Sequence, residues 1–374
     1  MSADVVARAE ALTEDQRFMA LALALGRRGL GRTWPNPAVG AVIVKNGVIV
    51  GRGWTQPGGR PHAEVEALRR AGAAARGATL YVTLEPCSHY GKSPPCADAI
   101  VAASLARVVS AIEDPNPEVA GQGHARLRSA GIVVDVGTGA EEARHDHAGH
   151  IRRMCDRRPH VMLKLAISAD GKAGAAGRTP VAITGAETRD RVHLLRAKSD
   201  AIMIGIGTAL ADDPLLTCRL PGMEKRSPVR VVLDSALRLQ RASRLVQTAR
   251  EVPLWVIAAA EVAGSAEQSL AEEGVVVLRA PKSDNGLDLA AVLKLLADRG
   301  ITRLMVEGGP TLAAGFVAAN LVDEAVLFHS AKIVGPDGID ALSGMPLAVL
   351  TQAPLLRVMT EPVGADRCDV FERR

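Results

Sequence analysis

His62-Ala63-Glu64, then Thr79-Leu80-Tyr81-Val82-Thr83-Leu84-Glu85-Pro86-Cys87, then Cys96: these residues decide the reading of the first half of the chain. One imidazole and two thiols form a zinc set, because soft sulfur and borderline nitrogen suit a metal without redox chemistry or strict geometry. Three protein ligands leave the fourth tetrahedral position for water, the arrangement of a catalytic rather than a structural site. Glu64 stands two residues from His62, close enough to exchange protons with that water without ligating the metal. The run from Thr79 to Leu84 predicts a strand ending at Glu85-Pro86-Cys87, and helices are expected to open at His62 and at Cys96. Both sulfurs then reach one end of a sheet, where open α/β sheets keep their sites. On a helix His62 and Glu64 point about 200° apart, so they serve one metal only from its first turn.

Outward from this centre, Thr13 and Gln16 can close a capping box ahead of the apolar stripe Phe18, Met19, Leu21, Ala22 and Leu25. Val39 to Val44 and Val48 to Val50, joined by Asn46-Gly47, predict a hairpin. Asn36, between two prolines just before it, is either a turn former or an amide placed to bond a polar ring. Ile132 to Val136 reads as a last strand, and Glu141 to Arg158 as one polar linker helix stopped by Pro159. Its His145, His147 and His150 do not share a face, so no second metal site is expected there. Cys155, Cys218 and Cys368 read as structural. The domain boundary is placed near residue 158, giving 1–157 and 158–374.

The second half begins with a strand from His160 to Ile167. Further strands are expected at Ala201 to Ile204, Val229 to Leu233, Leu254 to Ala258, Val275 to Leu278, Arg303 to Val306 and Ala325 to Phe328. Helical patterns alternate with several of them, which predicts α/β structure with a largely parallel sheet. No Gly-x-Gly-x-x-Gly follows the first strand, which argues against an ordinary Rossmann domain. Phosphate sites are suggested at Glu307-Gly308-Gly309, read as a positive-φ turn before a helix starting at Thr311, and at Gly205-Ile206-Gly207-Thr208. Arg196 shares a helical stretch with Arg189 and Arg191, either a solvated face or a bidentate anion ligand.

Composition narrows the partners. The chain has 374 residues, a formal net charge of +4 and 2% aromatic residues. That charge is small for the length, and so few aromatics make a base-stacking surface hard to build, so no nucleic-acid partner is expected. No apolar run approaches the roughly 20 residues of a membrane helix, and the polar start lacks a signal-peptide core. Five cysteines, an odd number, do not suggest a disulfide framework, so a cytoplasmic location is expected.

His-x-Glu followed by Pro-Cys and a second Cys is the signature of zinc deaminases, although eight residues, Ser88 to Pro95, separate the cysteines here instead of the usual two. The long segment Pro86-Cys87-Ser88-His89-Tyr90-Gly91-Lys92-Ser93-Pro94-Pro95-Cys96 resembles that of the bifunctional riboflavin-biosynthesis deaminase–reductases. So do Asn36 to Gly40, Asp114 to Pro117, Lys164 to Gly171, Ala211 to Pro214 and Glu307 to Leu312. The resemblance implies a cytidine-deaminase-like α/β/α domain followed by a dihydrofolate-reductase-like α/β domain, in a homo-oligomer. It implies removal of the 2-amino group of a diaminopyrimidinone bearing a phosphoribosylamino arm, then reduction of the ribosyl arm to ribityl with NADPH. Zinc, one per chain, falls to His62, Cys87 and Cys96; proton transfer falls to Glu64. Asn36 holds the pyrimidine, and His89 and Lys92 either reach the phosphate or belong to a solvated loop. In the second domain Ala166, Thr208, Asp212, Ser235 and Gly309, Pro310, Thr311, Leu312, Ala313, Ala314 and Gly315 line the NADPH. Arg196, Leu216, Arg219 and Glu307 meet the sugar phosphate and pyrimidine.

Three residues depart from the family pattern. Thr55 stands where a histidine is expected, and Pro180 and Ala182 where a serine and a larger aromatic residue are expected. The competing readings are a deaminase whose second domain only binds ligand or dimerises, a zinc-stabilised binding module, and a nucleic-acid deaminase. The glycine turns, Asp212 and Glu307 speak against the first, the missing fourth ligand against the second, and the composition against the third.

Overall fold

A computed structural model of the chain describes residues 12–91, 94–117, 119–178, 181–262, 264–284 and 286–373. The chain divides into two compact units, one running to Gly29 and resuming over Asn36–Cys155, the other formed by Leu30–Pro35 and the chain from Asp156.

In the first unit Thr13 and Gln16 close the capping box of α1, Glu14–Gly26. β1, Gly40–Lys45, and β2, Val48–Trp54, form the antiparallel hairpin. Asn46 and Gly47 make its turn at φ 52 and 75, the left-handed pair such a loop needs. α2 (Ala63–Ala71), β3 (Thr79–Val82), α3 (Cys96–Ala102), β4 (Arg107–Ser110), α4 (Gln122–Ser129) and β5 (Val133–Val136) complete a five-stranded sheet in the order β2-β1-β3-β4-β5. The last three strands run parallel. Ile43, Leu80, Val108 and Ile100 are fully buried between sheet and helices, each stabilising the fold by about 1.5–3 kcal/mol.

The single linker helix expected over Glu141 to Arg158 is two helices, α5 (Ala140–Asp146) and α6 (Ala148–Asp156). The break falls at His147, whose buried ring reaches the Thr83 hydroxyl at 3.1 Å. His147 and His150 are both buried, so this stretch is part of the unit's packing and not a solvated connector.

The second unit contains a nine-stranded sheet. Its strands in chain order are β6 (His160–Ile167), β8 (Ala201–Gly205), β9 (Val229–Leu233), β10 (Leu254–Ala259), β11 (Val276–Ala280), β14 (Arg303–Val306), β15 (Glu324–His329), β17 (Leu355–Val363) and β18 (Asp366–Arg373). Four short strands pair off separately: β7 (Lys172–Gly174) with β16 (Ile339–Asp340), and β12 (Lys282–Ser283) with β13 (Gly286–Leu287). The sheet order is β11-β10-β9-β8-β14-β6-β15-β18-β17. The first seven are parallel; β18 and β17 close the edge antiparallel. Helices α7 (Ala186–Lys198), α8 (Ile206–Asp212), α9 (Arg244–Gln247), α10 (Ser265–Glu272), α11 (Leu289–Asp298) and α12 (Pro310–Ala318) connect the strands. β6 alternates between fully and partly buried positions, and separate apolar cores lie on the two faces of the sheet. Among the described residues no helix is long and apolar enough to cross a membrane.

Candidate active sites

Helix α2, which brings His62 at its cap and Glu64 in its first turn to the site, lies directly on β2. A Cβ at Gly51 or Gly53 would fall 2.3 Å from the carbonyl oxygens of Ala67 and Ala63 respectively, so only glycine permits this approach. His62 caps the helix in extended conformation (φ −69, ψ 160), and Glu64 occupies its first turn. His62 Nδ1 stands 3.7 Å from Cys87 Sγ and 3.4 Å from Cys96 Sγ, and the Cys96 amide donates to Cys87 Sγ at 3.3 Å. One donor atom from each of the three lies within 4.8 Å of the others. Two sulfurs and an imidazole nitrogen at this separation fit a tetrahedral zinc, with the fourth position left to water.

The electrostatics set one thiol apart: the Cys96 thiol is pushed up by its hydrogen bond with Cys87 and by burial, and His62 is pushed up by its hydrogen bond with Cys87. The Cys87 thiol is held down to about 4, first by its hydrogen bond with Cys96 and then, against burial, by His62. A thiolate is the form a metal takes. Glu64 is 4% exposed, and burial pushes its carboxyl above the ordinary value, which suits a group that must both accept and return a proton near neutrality.

Around this centre Asn36 Nδ2 donates to the Gly59 carbonyl at 2.8 Å and lies 3.2 Å from His62 Nε2. His89 is exposed on the long loop between the cysteines; Lys92 lies outside the described residues. Arg60, which sequence reasoning passed over, faces the same loop: a Cβ on Gly91 would stand 3.6 Å from its Nη2 and 3.9 Å from His89 Nε2. Thr55 is buried, and its hydroxyl accepts the Val39 amide at 3.0 Å. At the position where a histidine is expected, Thr55 thus serves as an acceptor within the fold. Glu85 is another residue the sequence did not flag. Its buried carboxylate accepts the amides of Asp114, Gly121 and His124 at 2.9–3.1 Å and so pins the loop beside Pro86-Cys87. Glu85 also stands near Glu113 and His124, but with its oxygens engaged by three N–H groups this cluster is a loop anchor, not a second metal centre.

In the second unit the expected residues gather at the carboxyl ends of four adjacent parallel strands, β9, β8, β14 and β6. Ala166 is near the end of β6, Gly205 ends β8, Ser235 follows β9 and Glu307 follows β14. Gly309 caps α12 at φ −66, ψ 172, with Pro310 in the first turn. The positive-φ turn expected here is not present, because the chain enters the helix directly from extended conformation. What demands glycine is proximity: a Cβ would lie 2.9 Å from Thr208 Oγ1, the atom that accepts the Gly309 amide at 3.0 Å. Thr311 to Gly315 continue along α12, with Ala313 and Ala314 buried beneath it, while Asp212 is exposed at the end of α8.

Arg196 does not belong to a solvated face. It is 9% exposed and grips Glu307 with Nε and Nη2 at 3.0 and 2.9 Å, while Nη1 donates to the Thr217 carbonyl at 3.1 Å. The lack of amphipathicity in α7 hid this, since its basic residues occupy both its buried and its outer faces. Lys164 completes the group, 3.3 Å from Glu307; a lysine inside the apolar run His160 to Ile167 was the available signal. Burial alone would raise Glu307, but Lys164 and Arg196 outweigh it and hold the carboxyl below its ordinary value. Leu216 is buried at φ 56, and Arg219 is exposed beside it. The Ala182 carbonyl accepts Lys332 Nζ at 2.6 Å; Pro180 lies outside the described residues.

Comparison with known proteins places both units. Residues 12–112 match the cytidine and deoxycytidylate deaminase zinc-binding region, and residues 159–359 match the RibD C-terminal domain. The riboflavin biosynthesis protein RibD of Escherichia coli strain K12 is 42% identical, over 95% of this chain and 98% of its own. The Aquifex aeolicus protein of the same name is 41% identical, over 96% and 98%. Among solved structures, Acinetobacter baumannii RibD superposes with a TM-score of 0.86 at 35% identity, covering 96% of this chain and 99% of that one. The first unit is therefore a cytidine-deaminase-like zinc-binding domain, and the second is the dihydrofolate-reductase-like α/β domain of a reductase. The chain belongs to the RibD family of bifunctional deaminase–reductases of riboflavin biosynthesis.

Proposed function

We propose that the chain converts a diaminopyrimidinone carrying a phosphoribosylamino arm into 5-amino-6-(5-phosphoribosylamino)uracil and then reduces the ribosyl arm to ribityl with NADPH. One observation carries the substrates: the chain matches, over 96% of its length and 99% of the relative's, a Thermotoga maritima structure described as a diaminohydroxyphosphoribosylaminopyrimidine deaminase and 5-amino-6-(5-phosphoribosylamino)uracil reductase. Residues 1–157 are assigned the first step and residues 158–374 the second.

His62, Cys87 and Cys96 would hold one zinc per chain. When bound, zinc supplies Lewis acidity that brings the pKa of an attacking water to about 7. Glu64, buried beside the set, takes the proton, delivers it to the ring nitrogen and then assists departure of ammonia. Asn36, anchored to the Gly59 carbonyl, holds the edge of the pyrimidine, and His89 and Lys92 reach the phosphate arm. NADPH supplies the hydride of the second step. Its phosphates are received at the N-terminus of α12, where the helix dipole favours an anion; Ala166 and Ser235 stand at the neighbouring strand ends, and Thr208 and Asp212 come from α8. Glu307, fixed by Lys164 and Arg196, faces the pyrimidine side, and Leu216 and Arg219 meet the sugar phosphate. The test is direct. The purified chain should release ammonia from the diaminopyrimidinone and oxidise NADPH only when the uracil intermediate is present; failure of either half-reaction refutes the corresponding assignment.

A further inference from the structure

The loop from Leu215 to Arg219 carries two residues assigned above to the substrate, and side chains hold its backbone. Arg230, fully buried, donates to the Leu215 carbonyl at 3.3 Å, and the Cys218 amide donates to Ser227 Oγ at 3.1 Å. The Thr217 carbonyl receives Arg196 Nη1 at 3.1 Å and stands 3.1 Å from Nδ1 of His193. His193 lies on α7 one turn before Arg196 and is partly buried. The Arg219 amide lies 3.4 Å from the same Nδ1. One ring nitrogen cannot donate and accept together. A carbonyl has no proton to give, so the shorter contact is attractive only if the proton sits on Nδ1. Burial, then the Arg196 and Arg219 guanidiniums, hold the imidazole's pKa below its ordinary value, leaving it uncharged at neutral pH. Its Nδ1 proton is thus committed to the loop and not to a ligand.

We infer that His193 is a positioning residue for reduction: its Nδ1–H, donated to the Thr217 carbonyl, fixes the turn that aims Arg219 at the substrate phosphate. This rests on the phosphate assignment of Arg219 given above. Arg196 reaches the turn through Nη1 only, since its Nε and Nη2 are engaged with Glu307. A carbonyl gripped from two sides keeps its peptide plane, and the next residue but one is Arg219.

The test uses the full chain and three variants. His193→Asn keeps a donor where Nδ1 stood, His193→Leu keeps bulk without a donor, and His193→Gln moves the amide one methylene away. KM and kcat are measured for the uracil intermediate with and without its phosphate, and KM for NADPH. The Leu and Gln variants should raise KM for the phosphorylated intermediate about five- to tenfold, the effect of one lost hydrogen bond. The Asn variant should stay near wild type, and KM for NADPH and for the dephosphorylated intermediate should not move. A wild-type KM in the Leu or Gln variant, an Asn variant as impaired as Gln, or an equal rise for the dephosphorylated intermediate overturns the inference. If the Leu variant does not fold, the comparison of Gln with Asn decides. A wild-type chain that reduces phosphorylated and dephosphorylated intermediates with equal KM would instead refute the phosphate assignment of Arg219.

Discussion

At the scale of single residues the deaminase site is made by chemistry that tolerates little substitution. Cys87→Ser or Cys96→Ser exchanges a thiolate for a hydroxyl that stays protonated, so zinc content should fall from near one per chain together with ammonia release. Reduction of supplied uracil intermediate should persist; full zinc occupancy in either variant, read by elemental analysis, would reject the ligand set. Glu64→Gln keeps the shape of the buried side chain but not its proton transfer, so zinc should remain and deamination should fall roughly 10²–10⁴-fold. A rate within tenfold of wild type would show another group moving the protons. Glu307 makes a pH prediction. Its folded pKa is depressed below the ordinary 4.5, so the folded unit gains stability from its ionisation above that value and loses it as pH falls through the lower folded value. Melting temperature of the second unit should therefore drop more steeply with acid in wild type than in Glu307→Gln. Parallel curves would mean that Glu307 has no such depressed pKa. The grouping of His62, Cys87 and Cys96 was legible in sequence because ligand chemistry fixes residue type and order. His193 and Glu85 were not, because their importance lies in which backbone groups they meet across the fold; Lys164 showed only as a lysine within an apolar run.

At the scale of elements, local patterns were readable where the chain itself enforces them. The capping box of α1, the Asn46-Gly47 hairpin, and the strands Val229–Leu233 and Arg303–Val306 follow from short-range rules. The linker helix was misread because alternating Arg and His look solvated, whereas His147 and His150 turn inward to Thr83 and Asp114. β17 and β18 went unnoticed: β17 is an edge strand with Glu361, Pro362 and a bulge, and lacks the apolar run that marks a central strand. Gly309 is the element-scale test. Its φ is one that valine adopts without strain, so Gly309→Val acts through the contact with Thr208 Oγ1 and through blocked access to the start of α12. KM for NADPH should rise at least about tenfold, equivalent to roughly 1.4 kcal/mol, while ammonia release is unchanged and melting shows the unit folded. A folded variant with wild-type KM for NADPH would remove this helix start from the cofactor site.

At the scale of the whole molecule, sequence and structure meet in the division of labour between two units, each with its own sheet and core. The class of the second sheet was legible from alternating strands and helices, and that of the first from its resemblance to zinc deaminases. The edge pairing and the exchange of Leu30–Pro35 into the second unit were not, because both depend on long-range packing with no local signature. The central claim is that one chain performs deamination and then reduction. The most direct measurement incubates the full chain with the diaminopyrimidinone substrate, with and without NADPH, and identifies products by mass. Without NADPH the account predicts accumulation of the ribosyl uracil, changed from substrate only by replacement of the amino group with oxygen. With NADPH it predicts the ribityl uracil, heavier than that intermediate by two hydrogens. Accumulation of the ribosyl uracil alone under both conditions, or reduction of the diaminopyrimidinone before it loses its amino group, would contradict it.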